Sequence, residues 1–300
     1  MRQVPHPIPY QGSKRRLAST ILGFLPAERK RLIEPFAGSA AVTLAAAARD
    51  AFAGYLLGDA LGPLADIWGL VIGQPDRLAD GYERLWRGQL ADPRAAYDKA
   101  RARFNATGDP VVLLYLLARC VKGSVRFNAQ GEFNQSPDNR RLGMRPNVMR
   151  REIHGAHSLL SGRTESRAAD FRDTLADASS DDVVYLDPPY QGISGGRDSR
   201  YLKGLPVEEL LDGLHRLNRR GIPYVLSYDG RCGERTYGRE LPANLRLLKV
   251  ALHAGRSTQS TLSGRAEDTI ESLYVSPAAR SALARFGCVA QTQQQLVLQT

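Results

Sequence analysis

The apolar run Val183-Val184-Tyr185-Leu186 stops at Asp187-Pro188-Pro189-Tyr190, and that stop constrains the fold more than any average property of the chain. Two successive prolines fix φ and remove two backbone donors. A strand must therefore end there, in an extended loop whose carbonyls face outward. A second apolar segment, Arg31-Leu32-Ile33, runs into Glu34-Pro35-Phe36-Ala37-Gly38-Ser39-Ala40-Ala41-Val42 and then into an alanine-rich helical stretch over residues 43–49. Strand, small-residue turn and helix follow in that order. About twenty residues on, Tyr55-Leu56-Leu57-Gly58-Asp59 reads as the next strand and ends in an acid. These units predict an α/β fold with an open sheet and loops at its carboxyl edge.

The loops carry chemistry as well as geometry. An exocyclic amine on an aromatic base is a poor nucleophile because its lone pair is delocalised into the ring. Asp187 and the outward proline carbonyls can accept both amine hydrogens, and Tyr190 offers a stacking face. Gly38, Ser39 and Ala40 let a turn approach a ligand closely, and Asp59 suits a ribose-hydroxyl acceptor. Each piece alone has a plainer reading. Asp187 can cap a proline-rich turn, Asp59 can cap a helix, Gly12-Ser13-Lys14-Arg15-Arg16 can be a solvated basic turn, and Asp170-Phe171 can open a helix on a core phenylalanine.

The pieces occur in an order that resembles one family. Pro9-Tyr10-Gln11-Gly12-Ser13-Lys14, residues 34–42, Asp59, Arg126-Phe127-Asn128 with Gly131-Glu132-Phe133-Asn134, Asp170-Phe171, Asp187 to Tyr190, and Leu226-Ser227-Tyr228-Asp229 together are similar to Dam-type, D12-class DNA adenine N6-methyltransferases of the α group. The resemblance implies a Rossmann-like S-adenosylmethionine-dependent methyltransferase core with a mostly helical target-recognition insert. It implies S-adenosylmethionine as cofactor, held by Tyr10, Lys14, Glu34, Phe36, Gly38, Ser39, Asp59, Asp170, Phe171 and Asp187. Asp187, Pro188, Pro189 and Tyr190 become the catalytic set, acting on the N6 amino group of an adenine flipped out of double-stranded DNA. No metal and no covalent enzyme intermediate is expected. Two departures stand out: relatives often carry a glycine-richer cofactor loop, and Trp where Tyr10 stands. Serine and alanine still allow close approach.

The division expected is a catalytic core over residues 1–60 and 166–276, a helical DNA-binding lobe over 61–165, and a tail over 277–300. Helices suit residues 62–72, 93–104, 111–121 and 208–219, a hairpin-like loop suits 126–139, and strand-helix order is expected to resume at Asp182. Residues 222–227 read as a strand, and 245–252 with 271–275 as a terminal hairpin. The net charge of +10 is uneven: from Arg101 to Arg167 there are twelve Arg or Lys against five Asp or Glu, an excess of seven. That segment is the candidate polyanion face, with Arg126, Asn128, Asn134, Arg140, Arg141 and Arg145 as candidate DNA contacts and Arg150 and Arg151 in the same crowd. Residues 192–201, rich in glycine and arginine, and the polar stretches 256–259 and 264–265 are further candidates for closure or backbone contact.

Three scattered cysteines, Cys120, Cys232 and Cys288, lack metal-type spacing and suit a reduced interior. The longest apolar run, over 111–118, is too short for a membrane span. A cytoplasmic, nucleoid-associated monomer is expected, with a cognate restriction endonuclease as a candidate partner. Two alternatives stay open here: an RNA adenine-N6 methyltransferase, and a catalytically inactive DNA-binding relative.

Overall fold

The structure is a computed structural model that describes residues 3–189, 205–232, 235–237, 240–256 and 268–285. Tyr190 and the candidate stretches 192–201, 257–259 and 264–265 lie outside the described residues.

Eight strands form one sheet: β1 Arg31–Glu34, β2 Gly54–Asp59, β3 Thr164–Ala168, β4 Asp182–Leu186, β5 Tyr224–Cys232, β6 Arg235–Tyr237, β7 Leu248–Arg256 and β8 Asp268–Val275. Their order is β3-β2-β1-β4-β5-β8-β7, with β6 pairing only with the outer part of β5. Strands β1 to β5 pair in parallel, whereas β8 runs antiparallel between β5 and β7. The expected terminal hairpin is thus present as the β7–β8 pair.

Strand order reverses between β1 and β4, since the chain winds outward through β2 and β3 on one side and through β5 on the other. Both sheet faces are covered, which explains runs without polar alternation. Leu32, Val183 and Tyr185 pack into one core with Tyr55 and Trp68. Ile33, Val184 and Leu186 pack into the other with Phe171, Leu210 and Leu214.

Ten helices are described: α1 Ala18–Leu22, α2 Ala41–Ala47, α3 Gly62–Gly73, α4 Pro75–Gly88, α5 Pro93–Thr107, α6 Pro110–Arg119, α7 Pro146–Leu160, α8 Phe171–Ala176, α9 Val207–Arg219 and α10 Pro277–Arg285. Proline opens α4, α5, α6, α7 and α10, where its missing N–H costs nothing and its φ suits the first turn. Asp92 and Asp109 cap α5 and α6 by accepting from two backbone N–H groups each. Between β2 and β3 the chain is helical apart from the loop of residues 120–145. α3 lies against β2 and β3 while also touching α4, α6 and α7, so it joins the sheet to the helical segment.

Strand-helix order resumes earlier than the sequence pattern indicates, at β3 rather than at Asp182. The sequence of β3, Thr-Glu-Ser-Arg-Ala, carries no apolar signal because it is an edge strand without a buried residue. Its hydrogen bonds to β2 hold it in place. Helices α4 and α7 also have no counterpart in the expected set, and residues 277–285 of the expected tail form α10, which buries Ala279 and Ala282.

Candidate active site

The loops after β1, β2, β3 and β4 meet at the carboxyl edge of the sheet, around the point where strand order reverses. Open α/β sheets bind ligands at that place because two loops diverge there and leave a crevice. A cleft of about 450 Å³ lies there, within the range of small-molecule and cofactor sites. All ten residues expected to hold cofactor line it: Tyr10, Lys14, Glu34, Phe36, Gly38, Ser39, Asp59, Asp170, Phe171 and Asp187. Pro188 and Pro189 line it too.

The turn after β1 is fixed from several sides. Ala37 N–H donates to the Gly58 carbonyl at 2.8 Å, and Gly38 N–H donates to Asp59 Oδ2 at 3.1 Å. Trp68 Nε1, on α3, donates to the Gly38 carbonyl at 2.9 Å. Gly38 has φ of 47°, and a Cβ there would stand 3.3 Å from the Tyr10 ring, so the residue answers both a left-handed backbone and a close approach. Ser39 Oγ donates to Ser13 Oγ at 2.7 Å, which ties the loop to the N-terminal segment. That segment is anchored in turn on the helical part of the chain. Gln11 N–H donates to the Gly123 carbonyl at 3.0 Å, and Ser124 Oγ donates to Gln11 Oε1.

The carboxylates differ in their surroundings. Asp59 accepts from Gly38 N–H and, at 2.9 Å, from Leu61 N–H, yet burial pushes its carboxyl up to about 6. Two hydrogen bonds leave further lone-pair sites for a ligand hydroxyl. Glu34 is buried, accepts from Thr43 N–H, and is pushed by that burial up to about 8, with the charge of Asp187 adding to the rise. Asp170 caps α8 through Arg172 N–H at 2.9 Å and also binds Arg172 Nε at 2.8 Å. Burial raises its carboxyl, but the Arg172 bonds outweigh that and hold it below the usual range. Phe36 and Phe171 stack at 5.3 Å between centroids and form an apolar wall of the cleft.

Lys14 links the N-terminal segment to the proline loop. Its buried ammonium donates to both Asp187 oxygens, at 2.7 and 2.8 Å, and to the Gly12 carbonyl at 3.3 Å. Burial raises the Asp187 carboxyl, and Lys14 opposes that rise. Glu271 of β8 stands 3.7 Å from the same ammonium. The Tyr185 hydroxyl shares a hydrogen bond with Ser227 Oγ at 2.8 Å behind the loop.

The candidate DNA contacts fall on the loop of residues 120–145. Phe127 and Phe133 pair in a short antiparallel bridge and sit edge to face at 6.0 Å. Asn128 Oδ1 accepts from Gln130 and Glu132 N–H, and its amide donates to Glu132, so this side chain builds the turn. Arg126, Asn134, Arg140, Arg141 and Arg145 are exposed. The rest of the arginine crowd is largely spoken for. Arg150 is paired with Asp76, Asp80 and Glu83, Arg163 with Asp50, and Arg167 with Glu165 and Asp177. Arg119 is buried and donates to Gln89 and to the Asp138 and Arg141 carbonyls, so it shapes the loop from within.

Trp68 and Glu271 bear on the cleft through Gly38 and Lys14, and the sequence pattern does not single them out. Trp68 reads only as one more apolar position of α3. Glu271 carries the one available signal, an acid inside an otherwise uncharged strand segment, Ile270 to Val275. Among the described residues no group of His, Cys, Asp and Glu is arranged to hold a metal ion, and no helix is long and apolar enough to cross a membrane. Cys120 is buried, and that burial pushes its thiol up to about 12.

The reversed strand order, the cleft at the switch point and the proline loop beside it are those of a Rossmann-like methyltransferase. Residues 10–253 match the model of the D12 class N6 adenine-specific DNA methyltransferases, and the chain belongs to that family. It is 30% identical over 224 residues to the retron Ec67 DNA adenine methylase of Escherichia coli, covering 73% of this chain and 75% of the relative. With the DNA adenine methylase of Haemophilus influenzae it shares 29% identity over 186 residues, 60% of this chain and 62% of that one. A DNA N-6-adenine-methyltransferase of Escherichia phage P1 is 26% identical over 234 residues, which are 74% of this chain but only 29% of the phage protein.

Proposed function

We propose that this protein transfers a methyl group from S-adenosylmethionine to the N6 amino group of an adenine extruded from double-stranded DNA. The observation that carries the reading is that one cleft at the switch point joins the expected cofactor residues to Asp187, Pro188 and Pro189.

The donor set suits S-adenosylmethionine. Asp59 keeps lone pairs for ribose hydroxyls, Asp170 can accept from an adenine amino group, and the Phe36–Phe171 pair offers an apolar wall for a base. Tyr10, Lys14, Glu34, Gly38 and Ser39 complete the enclosure. When bound, the cofactor supplies an activated methyl group. The protein's own contribution lies in orientation, acceptance of hydrogens and exclusion of water.

Asp187 and the Pro188 carbonyl accept the amine hydrogens of the target base and draw its lone pair out of the ring. Lys14 holds the Asp187 carboxylate in place for that task. Extrusion of a base costs a few kcal/mol, and stacking together with these hydrogen bonds offsets it. We further propose Tyr190 as the stacking face.

Residues 61–165 act as the DNA-binding lobe in this reading, around a core of 1–60 and 166–276. Exposed Arg126, Arg140, Arg141 and Arg145 meet phosphates or base edges along with Asn134. Asn128 supports them through the turn it builds.

The test is nucleoside mass spectrometry of DNA from a methylation-deficient host that expresses the wild type, with Asp187→Ala in parallel. N6-methyladenine in the wild-type DNA alone supports the proposal. Unmarked DNA from cells with folded wild-type protein, or equal marking by Asp187→Ala, overturns it.

A further inference from the structure

Glu271 has no part in the reading above, yet it stands beside the reacting loop. Its strand, β8, is the one antiparallel member of the sheet path, inserted next to β5. Its Oε2 is shielded from solvent, has no hydrogen-bond partner within 3.5 Å among the described residues, and lies 3.7 Å from Lys14 Nζ. A buried carboxylate oxygen left unpartnered is costly, and such groups call for an explanation. Among the described residues, the charged groups that face it are Lys14 and Asp187. Its paired residues on the flanking strands are Gly230 and Leu252, which carry no charge.

The Lys14 ammonium is thus shared unequally. It is within hydrogen-bond distance of both Asp187 oxygens and within Coulombic but not hydrogen-bond reach of Glu271. A cation bound to one carboxylate alone draws that carboxylate's electron density fully. A second negative charge nearby weakens the pull without breaking the bond.

We propose that Glu271 is a positioning residue for methyl transfer, a second carboxylate on Lys14 that leaves Asp187 seated on the ammonium but still a strong acceptor for the target amine. This rests on the role of Asp187 given above. Glu271 touches no substrate atom in this assignment and acts only through Lys14. Burial raises its own carboxyl, the neighbouring Asp187 adds to the rise, and Lys14 opposes it.

The decisive experiment is single-turnover methylation of duplex DNA by the full chain across the acid pH range. It compares wild type, Glu271→Gln and Glu271→Asp, with Asp187→Ala as control, alongside titration of each with S-adenosylmethionine. Neutral glutamine removes a like charge from the vicinity of Asp187, so Asp187 ionises more readily. The acid limb of the rate profile is expected to move to lower pH by about half a unit or more. The plateau rate is expected to fall several-fold while cofactor affinity stays within about twofold, because the interaction is used in the transition state rather than in binding. Glu271→Asp keeps the charge farther from Lys14, so its limb should lie between the other two. An acid limb that does not move in either variant, whatever the rate, overturns the inference and leaves Glu271 a packing residue. Turnover by Asp187→Ala has a different meaning: it removes the proposed reaction itself.

Discussion

Glu34→Gln is expected to make the protein more stable, by an amount that grows with pH. The Glu34 carboxyl is buried, accepts from Thr43 N–H, and is pushed from 4.5 up to about 8 by burial, assisted by the charge of Asp187. A carboxyl whose folded value lies above its unfolded value holds its proton in the folded chain and releases it on unfolding. Between pH 4.5 and pH 8 folding must therefore take up a proton, and stability falls as pH rises through that window. At pH 7 the cost is about 2.5 units at 1.36 kcal/mol each, or about 3 kcal/mol. Glutamine keeps a carbonyl for Thr43 N–H and needs no proton. The stability gained over wild type should thus rise from about 1 kcal/mol at pH 5 to about 4 kcal/mol at pH 8, on top of a constant offset for the exchange of groups. Domains are held by only about 5–15 kcal/mol, so the change is well within reach of urea unfolding at pH 5, 6, 7 and 8. A difference between the two proteins that is the same at pH 5 and pH 8 would refute the account, because it would place an ionised carboxylate in the folded chain throughout.

Trp68→Phe removes the donor to the Gly38 carbonyl and leaves a buried acceptor unpaired, at a cost of about 1–3 kcal/mol. It should weaken S-adenosylmethionine binding in calorimetric titration as well as lower Tm, and affinity within twofold of wild type would show that Trp68 does not shape the loop. Replacing Arg140 and Arg141 together with Ala should weaken DNA binding and flatten the dependence of log K on log salt by up to about 1.8. An unchanged slope in a filter-binding series would put the phosphate contacts elsewhere. Gly123 has φ of 62°, and a Cβ there would lie 2.7 Å from the Pro9 carbonyl oxygen, so Gly123→Ala must displace the segment that carries Tyr10 and Lys14. Both cofactor affinity and single-turnover rate should fall, and wild-type values for both would show that the segment tolerates the shift.

What the sequence reveals here depends on whether a residue's role is local. Glu34 to Ser39, Asp59, Asp170 and Asp187 each sit at the end of a strand in a loop whose composition is unusual where it stands, and the sheet brings those ends together. β1, β2, β4 and β5 are legible because burial on both faces demands continuous apolar runs. β3 is not, since an edge strand gains its hydrogen bonds from β2 and requires no apolar face. The charge excess of residues 101–167 is legible as a sum but not as a surface. Asp76, Asp80, Glu83, Asp50 and Asp177, which lie outside that segment, pair with its arginines, and only the folded chain brings them close. Trp68 and Glu271 act across the fold on Gly38 and Lys14, at separations no local pattern records.

The helical segment and the cleft at the switch point are also joined by a direct route. Gly123, at the start of the loop that carries Arg126 and Asn134, accepts from Gln11, and Ser124 donates to the Gln11 side chain. Three residues along from Gln11, Lys14 grips Asp187, and between them Ser13 accepts from Ser39 of the loop after β1. The same short segment therefore touches the base of the proposed recognition loop, the loop after β1 proposed to hold the cofactor, and the proposed acceptor Asp187. A shift of this loop has few ways to be absorbed there, because Gly123 packs its backbone directly on that of Pro9. If the proposed function holds, coupling of this kind would tie a correct fit at the proposed recognition loop to correct seating of Asp187, because orientation can supply much of the rate.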